Sequence, residues 1–463
     1  MLILEAGDDL RGQETPSMID GWHLPQVPDW GFMSTEQDGS SKKLRRGRLV
    51  GGTAWLTRFA VRGPASDFDA WASMGNPGWA FDDVLPAFRR LETDADFGDR
   101  PWHGADGPLP ITRYPALDGS PILAAAGEAF AAFGVPAVDD LNAPDSVGFA
   151  RVPMSARGGV RATTATTYLV RQPASLSLRT GAGVDRVVVR SGRAVAVRLM
   201  DETELEADEI VLSAGTYGSP PILQRSGIGP AHHLRGLGID VVVDLPGVGE
   251  NLADHPGVDL DTGFRGPGRD EPILHTIATF RSTGTDASAP PDLMFWAQDA
   301  GADDPGFYFD PVLLKPRSRG SVRIRSTDPT AAPEIRLPGV TDPSDIDRLI
   351  EGYAIGLELA NQPSIRALCV DPAPEAPATR AEARQRVLEN AYSNPHVVGT
   401  CAMGPDPATG AVVDVDGHVH GIDGLRVVDA SIIPAPPSGF PHVIAIMTAE
   451  HLASRWDGYR PRD

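Results

Sequence analysis

The sequence predicts an α/β fold, α+β overall, in which a parallel-type sheet is combined with a largely antiparallel sheet flanked by helices. Three observations predict it. At 463 residues the chain exceeds what one core usually supports, so two domains are the default. The apolar run MLIL at the start and the segments IVLSAG and LRVVDAS further on have the character of buried strands of a parallel sheet. Between them, residues from Leu176 to Leu212 alternate and are rich in valine, which is the pattern of paired antiparallel strands.

The elements follow in order. MLILEAGDD is an apolar run closed by an acid and a glycine, predicting a strand buried on both faces. In dinucleotide-binding folds the second strand ends in a carboxylate that takes ribose hydroxyls, and Glu5 stands at that place. The preceding turn of such a fold carries G-x-G-x-x-G, which cradles a pyrophosphate. No intact copy is present: GVGENL at 247–252 and GAGVDR at 181–186 both lack the last glycine. Either the fold needs no such unit, or about 30 residues, the size of one βα unit, belong ahead of Met1. Gly51 and Gly52 in RLVGGTAWLT allow a backbone to approach a ligand closely; the plain alternative is a tight turn. DFDAW suits a helix N-terminus, and helices are expected at 84–93 and 121–134, the second ended by Gly134. Hairpin turns are expected at Ser191–Gly192 and Asp201–Glu202. SPPILQRSGIGP opens with a Ser-Pro helix start, and LPGVGENLADHP follows a short strand. Two more helices are expected near 343–361 and 379–392, and a last one over about 442–455.

Composition narrows the function classes. The hydrophobic share is 41% and the charged share 22%, ordinary for a globular protein. The 50 Gly and 43 Pro are spread along the chain, which favours many loops over a disordered tract. A net charge of −21 repels nucleic acid and anionic membrane surfaces. The two cysteines, Cys369 and Cys401, make no disulfide framework, so a cytoplasmic location is expected. No stretch has the length of an integral membrane segment.

Several blocks, in order, resemble the glucose–methanol–choline (GMC) family of flavoprotein oxidoreductases. They are GRLVGGTAWLT with RGPASDFDAW, WHGADGPL, GGVRATTATTYL, GTYGSPPILQRSGIGP with LPGVGENLADH, NPHVVGTCAMG, and VVDVDGHVHGIDGLRVVDASIIP. The resemblance implies a Rossmann-like FAD-binding domain formed by 1–62, 173–262 and 393–463, and a substrate domain formed by 63–172 and 263–392. It implies that LILEAG is the second strand of the flavin unit, so that the sequence is expected to be N-terminally incomplete, to lack its first βα unit, and to hold FAD weakly as written. It also implies the cofactor contacts. Glu5 resembles the ribose ligand, and Gly51, Gly52 and Thr53 the backbone wall near the flavin. Val184 resembles the position whose main chain meets the adenine, and Asp429 and Ala430 the segment near the pyrophosphate. Gly215 and Ser219 belong to a signature where a structural turn is an equal reading. Thr57 replaces the usual asparagine, and Leu56 stands where histidine-tethered members carry their histidine, so covalent flavin attachment there is disfavoured.

Oxidising an alcohol to a carbonyl requires a base for the hydroxyl proton and an acceptor for the carbon-bound hydride. His396, in N-P-H before Gly-Thr-Cys, matches the family's catalytic histidine. The family's second histidine or asparagine falls on Phe440, whose ring neither accepts nor donates a proton. His442 either takes over that role or simply opens the helix, and Asn394 is a weaker candidate for orienting the oxygen. GFPH at this position also resembles the mycofactocin-associated branch. The resemblance thus implies FAD-dependent oxidation of a small-molecule alcohol, with oxygen, a quinone or another carrier as electron acceptor. Two other readings stay open: a lyase of the same fold, and a non-catalytic remnant acting as a binding module.

Overall fold

The computed structural model describes residues 1–13, 25–35, 41–113, 121–170, 173–265, 275–299 and 306–456. Of the expected segments, the junction at 171–172 and the stretches 266–274 and 300–305 lie outside the described residues.

Two parallel ladders join segments remote in sequence. Leu2–Leu4 pairs with Ser177–Arg179, and Ile210–Leu212 pairs with Leu425–Val427. Parallel neighbours need long connections, and here the intervening chain supplies other elements of the molecule. Ile210, Leu212, Leu425 and Val427 are buried in one core with Val443, Ile444, Met447 and Leu452 of the Pro441–Ala453 helix. The first strand departs from expectation. Leu2 is 47% exposed, and Ile3 and Leu4 are only partly buried. Among the described residues that strand has a single hydrogen-bonded neighbour, so its other edge is not covered by a strand. The valine-rich stretch forms the antiparallel meander Val184–Arg190, Arg193–Leu199 and Glu204–Glu206. Its first turn falls at Ser191–Gly192, where both residues have positive φ (51° and 78°), as a twisted two-residue hairpin demands.

The second layer is a six-stranded antiparallel sheet. Its order is Ala391–Ser393, Pro256–Val258, Phe307–Leu313, Leu293–Asp299, His275–Phe280, Phe149–Arg151. Period-2 alternation decides what each face meets. Phe295 and Ala297 pack with Phe130, Leu349 and Leu357, beneath the helices Pro121–Ala132 and Pro343–Ala360. Met294 and Trp296 belong to another cluster, with Val61 and Phe440. The sheet therefore turns one face to its helices and presents Trp296 on the other.

The helix expected at 84–93 runs over Phe81–Leu91. Its start is shifted because Asp83 accepts the Ala80 amide (3.1 Å) and caps it, and its end because Glu92 begins a strand and enters a buried charge cluster. There His103 Nδ1 meets Glu92 (2.7 Å) and Nε2 meets Asp140 (2.9 Å). Arg62 pairs with Glu92, and Arg113 bridges Asp94 and Asp140, each at 3.0 Å. Glu92, Asp94 and His103 lie close enough to hold a cation, but Arg62, Arg113 and the two imidazole nitrogens already serve these carboxylates. The Trp-His-Gly segment is thus an ion-pair clasp.

Burial alone would lower the His103 pKa, and the Asp140 and Glu92 hydrogen bonds outweigh it to raise the value above 6.5. Burial would raise Glu92 and Asp140, yet Arg62 and His103 bring Glu92 below 4.5, while His103 and Trp102 bring Asp140 below 3.8. The histidine's contribution to stability is full below 6.5 and is lost as pH rises through its raised value. The carboxylates' contribution is full above 4.5 and is lost as pH falls through their lowered values. Replacing His103 by Gln should cost about 3–5 kcal/mol near pH 6, with the cost shrinking toward alkaline pH. Urea unfolding across pH would contradict this if the cost were the same throughout.

Candidate active site

His396 lies on a loop fixed by strand pairing on both sides. Ser393 sits opposite Pro256 in the sheet, and Val398 and Ala253 exchange backbone hydrogen bonds of 3.0 and 3.1 Å. These pairings set residues 394–397 across from Asp254 and His255. Asp254 is buried, and its Oδ1 accepts both the His255 amide (2.8 Å) and the His396 amide (2.7 Å). Its Oδ2 accepts the Ser393 hydroxyl. Burial pushes the Asp254 carboxyl upward, and these donors pull against it.

The His396 ring has two neighbours of different chemistry. Its Nδ1 is 3.2 Å from His255 Nδ1, with the rings edge to face. Phe440 stacks on it at 4.6 Å between centroids, with 28° between planes. Phe440, 1% exposed, also packs on Trp296 and Phe59. Burial, and then the Arg46 charge, push the His396 pKa down to about 3. Burial, and then His396 and Lys315, hold His255 well below 6.5. Both rings are therefore neutral near pH 7.

Asn394 is committed to the protein. Its Nδ2 donates to the His255 carbonyl (3.0 Å), and its Oδ1 accepts the Trp296 indole (3.3 Å). His442 opens the Pro441–Ala453 helix, with Nε2 3.3 Å from Ser155 Oγ. The Ser155 hydroxyl donates to the Arg58 carbonyl (3.1 Å), so the His442 contact runs from an imidazole N–H to the hydroxyl oxygen. Burial, and then Arg161, lower His442 to about 4. The ring facing His396 at the expected partner position is Phe440.

The expected cofactor residues gather around strand ends. Glu5 follows Leu2–Leu4, accepts the Gly7 amide (2.8 Å) and is raised above its ordinary value, chiefly by burial. The Ala182 amide donates to the Glu5 carbonyl (2.8 Å), which brings the start of the Val184 strand alongside. The Val50 amide donates to the Asp8 carbonyl (2.9 Å), which sets the Gly51–Gly52 turn beside the same strand end. Gly51 has φ 91° and would place a Cβ 2.8 Å from that of Ala165, whereas Gly52, at φ 54°, faces open space. Thr53 lies in the one-turn helix Gly52–Trp55, and Thr57 follows it on the way to Phe59. A second group forms around Asp429. Its Oδ2 accepts the Gly215 amide (2.9 Å) and the Ser219 hydroxyl (2.6 Å), and its Oδ1 accepts the Ser431 amide (2.7 Å). Asp429 thus fastens a turn, with Ala430 in the following 3-10 helix. The Thr216 hydroxyl donates to the Val397 carbonyl (2.9 Å) and ties this group to the His396 loop. Gly215 itself has φ 79° and faces open space. Gly52 and Gly215 each leave an open backbone beyond the carboxyl end of a parallel strand, the kind of position that a dinucleotide's phosphates approach.

Sequence reasoning missed Asp254, His255, Phe59 and Trp296. The pair Asp254–His255 stood within LPGVGENLADHP, but no spacing joins it to a histidine 141 residues away.

Family models described as GMC oxidoreductase match residues 27–257 and 316–449. The chain is 33% identical to the oxygen-dependent choline dehydrogenase of Pseudomonas fluorescens (strain Pf0-1), over 100% of this chain and 90% of that protein. It is 32% identical to the 5-(hydroxymethyl)furfural oxidase of Methylovorus sp. (strain MP688), over 98% of this chain and 93% of that one. Among solved structures, it is similar to the pyridoxine 4-oxidase from Mesorbium loti, with a TM-score of 0.90 and 28% identity over 99% and 94% of the two chains.

Proposed function

The chain belongs to the GMC oxidoreductase family, whose cofactor is FAD, and from that premise we propose that it oxidises a small-molecule alcohol to a carbonyl with His396 as general base. The observation that carries the reading is the His396 loop: a neutral imidazole, anchored through its own amide to Asp254 and through Nδ1 to His255. A neutral ring with one nitrogen already engaged has one nitrogen left for a substrate hydroxyl. When bound, FAD would supply the hydride acceptor, held by Glu5, the Gly51–Thr53 turn, Thr57, Val184, Gly215 and the Asp429–Ala430 turn. The chain's own part is to take the hydroxyl proton on His396, orient the substrate and exclude water. Phe59, Trp296 and Phe440 would wall the substrate beside the base, which suits a flat or apolar primary alcohol. The relatives, a choline dehydrogenase, a 5-(hydroxymethyl)furfural oxidase and a pyridoxine 4-oxidase, support a CH–OH donor. Oxygen, a quinone or another carrier takes the electrons afterwards.

Anaerobic rapid mixing of the FAD-loaded protein with a panel of primary alcohols tests the reading. Loss of the oxidised-flavin absorbance is expected; a lyase would convert substrate and leave the flavin oxidised. In the same assay, His442→Ala should slow reduction far less than His396→Ala, because the ring stacked on His396 is Phe440, while His442 is tied to Ser155. Equal losses in the two variants would instead place both histidines on the substrate oxygen.

A further inference from the structure

Building on the reading of His396 as the base, we propose that His255 is a positioning residue that fixes the tautomer of His396. The hydrogen bond between their Nδ1 atoms runs from His396 to His255. It keeps the His396 proton on Nδ1 and leaves Nε2 as the lone pair that receives the substrate proton.

A neutral imidazole carries one N–H and one lone pair. Two Nδ1 atoms 3.2 Å apart form a hydrogen bond only if one ring donates and the other accepts. Were His255 the donor, His396 would carry its proton on Nε2 and offer a substrate hydroxyl another donor. The base role requires the opposite polarity. His396 Nδ1 is held against His255, so the nitrogen left for the substrate hydroxyl is Nε2, and that atom receives a proton only if it carries the lone pair. The His396 proton then sits on Nδ1 and is donated to His255 Nδ1, which leaves the His255 proton on the buried Nε2.

The charged groups around the pair keep the count at one proton per ring. Arg46 acts on His396, and Lys315 acts on His255. Asp254 meets both residues through their backbone amides. His255 is also held in place, since its carbonyl accepts both the Asn394 side chain (3.0 Å) and the Asn394 amide (3.2 Å). When His396 gains the substrate proton on Nε2, its Nδ1–H becomes part of a cation, and the bond to His255 becomes charge-assisted and shorter. His255 then stabilises the protonated base more than the resting one, which is the requirement for a contribution to rate.

Histidine-selective ¹⁵N labelling and NMR read tautomers directly, on the protein with and without FAD. At neutral pH the His396 resonances, assigned by their loss in His396→Ala, are expected to show a protonated Nδ1, and those of His255 a protonated Nε2. A proton on Nε2 of His396 would overturn the proposal. His255→Phe removes the acceptor and should leave His396 in mixed tautomers. Flavin reduction should slow by about 10- to 100-fold with little change in KM, short of the roughly 10,000-fold loss when a base is locked in the wrong tautomer. His255→Asn, whose amide oxygen can stand near the place of Nδ1, should recover part of the rate, and it keeps the test decisive if the Phe variant does not fold. Full activity with mixed tautomers would also overturn the proposal. The two readings separate cleanly: an unchanged rate in His396→Ala removes the base, whereas a slow His396→Ala with His396 protonated on Nε2 removes only the role of His255.

Discussion

Replacing His396 by alanine in the FAD-loaded protein is expected to leave flavin binding largely unchanged and to slow flavin reduction by an alcohol about 100- to 10,000-fold, the range for loss of a positioned general base. Binding should survive because the residues around the open glycine backbones at Gly52 and Gly215 do not depend on the imidazole. The turn at Gly215 is held by Asp429, and the Gly51–Gly52 turn by Asp8. Reduction should fail because, in the wild type, the hydroxyl proton leaves to a nitrogen already oriented by Asp254 and His255. Titration of the variant with FAD, followed by anaerobic rapid mixing, separates the two effects. FAD binding much weaker in the variant than in the parent protein would mean that His396 supports the cofactor site instead.

The same residue predicts a pH profile. Its pKa is lowered to about 3, by burial first and Arg46 second, so the neutral, proton-accepting form persists through the neutral range. The rate of flavin reduction should stay flat from alkaline toward mildly acidic pH and fall only as pH approaches the lowered value. An acid limb near the ordinary value of 6.5 would show that the bound cofactor or substrate reverses the burial effect on this ring. Arg46 is reachable by mutation. Its guanidinium donates to the Pro395 carbonyl (3.1 Å), and neutralising it should raise the His396 value and move the limb upward.

Much of the architecture could be read from local pattern, and the reason is visible in particular elements. The helix expected at 343–361 carries a Pro after an Asp cap, and Asp342 does accept the Ser344 amide (2.8 Å) within Pro343–Ala360. The meander at Val184–Leu199 follows from alternation plus turn residues, both local properties. The Leu2–Leu4 strand misled because an apolar run reports the environment it is suited to, and its neighbours are decided by chain far away. The candidate site divides in the same way. His396, Asp429 and the glycine turns stood in recognisable blocks. Asp254 and His255 were visible only as part of a signature, because their task is set by ladder pairing with residues about 140 positions on. The phenyl ring of Phe440 neither donates nor accepts a proton, which is legible from residue type alone, but its stacking on His396 required the helix start and the sheet face of Trp296 to be placed together.

Asp254 is where those two kinds of information meet, and its removal should have the second-largest effect. Asp254→Ala would orphan the His255 amide, the His396 amide and the Ser393 hydroxyl. Each buried donor left without a partner costs about 1–3 kcal/mol. The loss is partly offset because a carboxylate held in a buried place, with its pKa raised by that burial, is itself unfavourable there. A net destabilisation of about 2–4 kcal/mol in urea unfolding is expected. Flavin reduction should also fall about tenfold or more, since small displacements of a reacting group are costly. Asp254→Asn keeps a carbonyl oxygen for the two amides and should recover most of the stability. The sign of its pH dependence is set by the raised value. The carboxylate burdens the fold above its folded pKa and not below 3.8, so the asparagine variant should lose least, relative to wild type, at neutral pH. If Asp254→Ala kept wild-type stability while losing activity, the carboxylate would be touching substrate or cofactor, and its place as the anchor of the His396 loop would have to be abandoned.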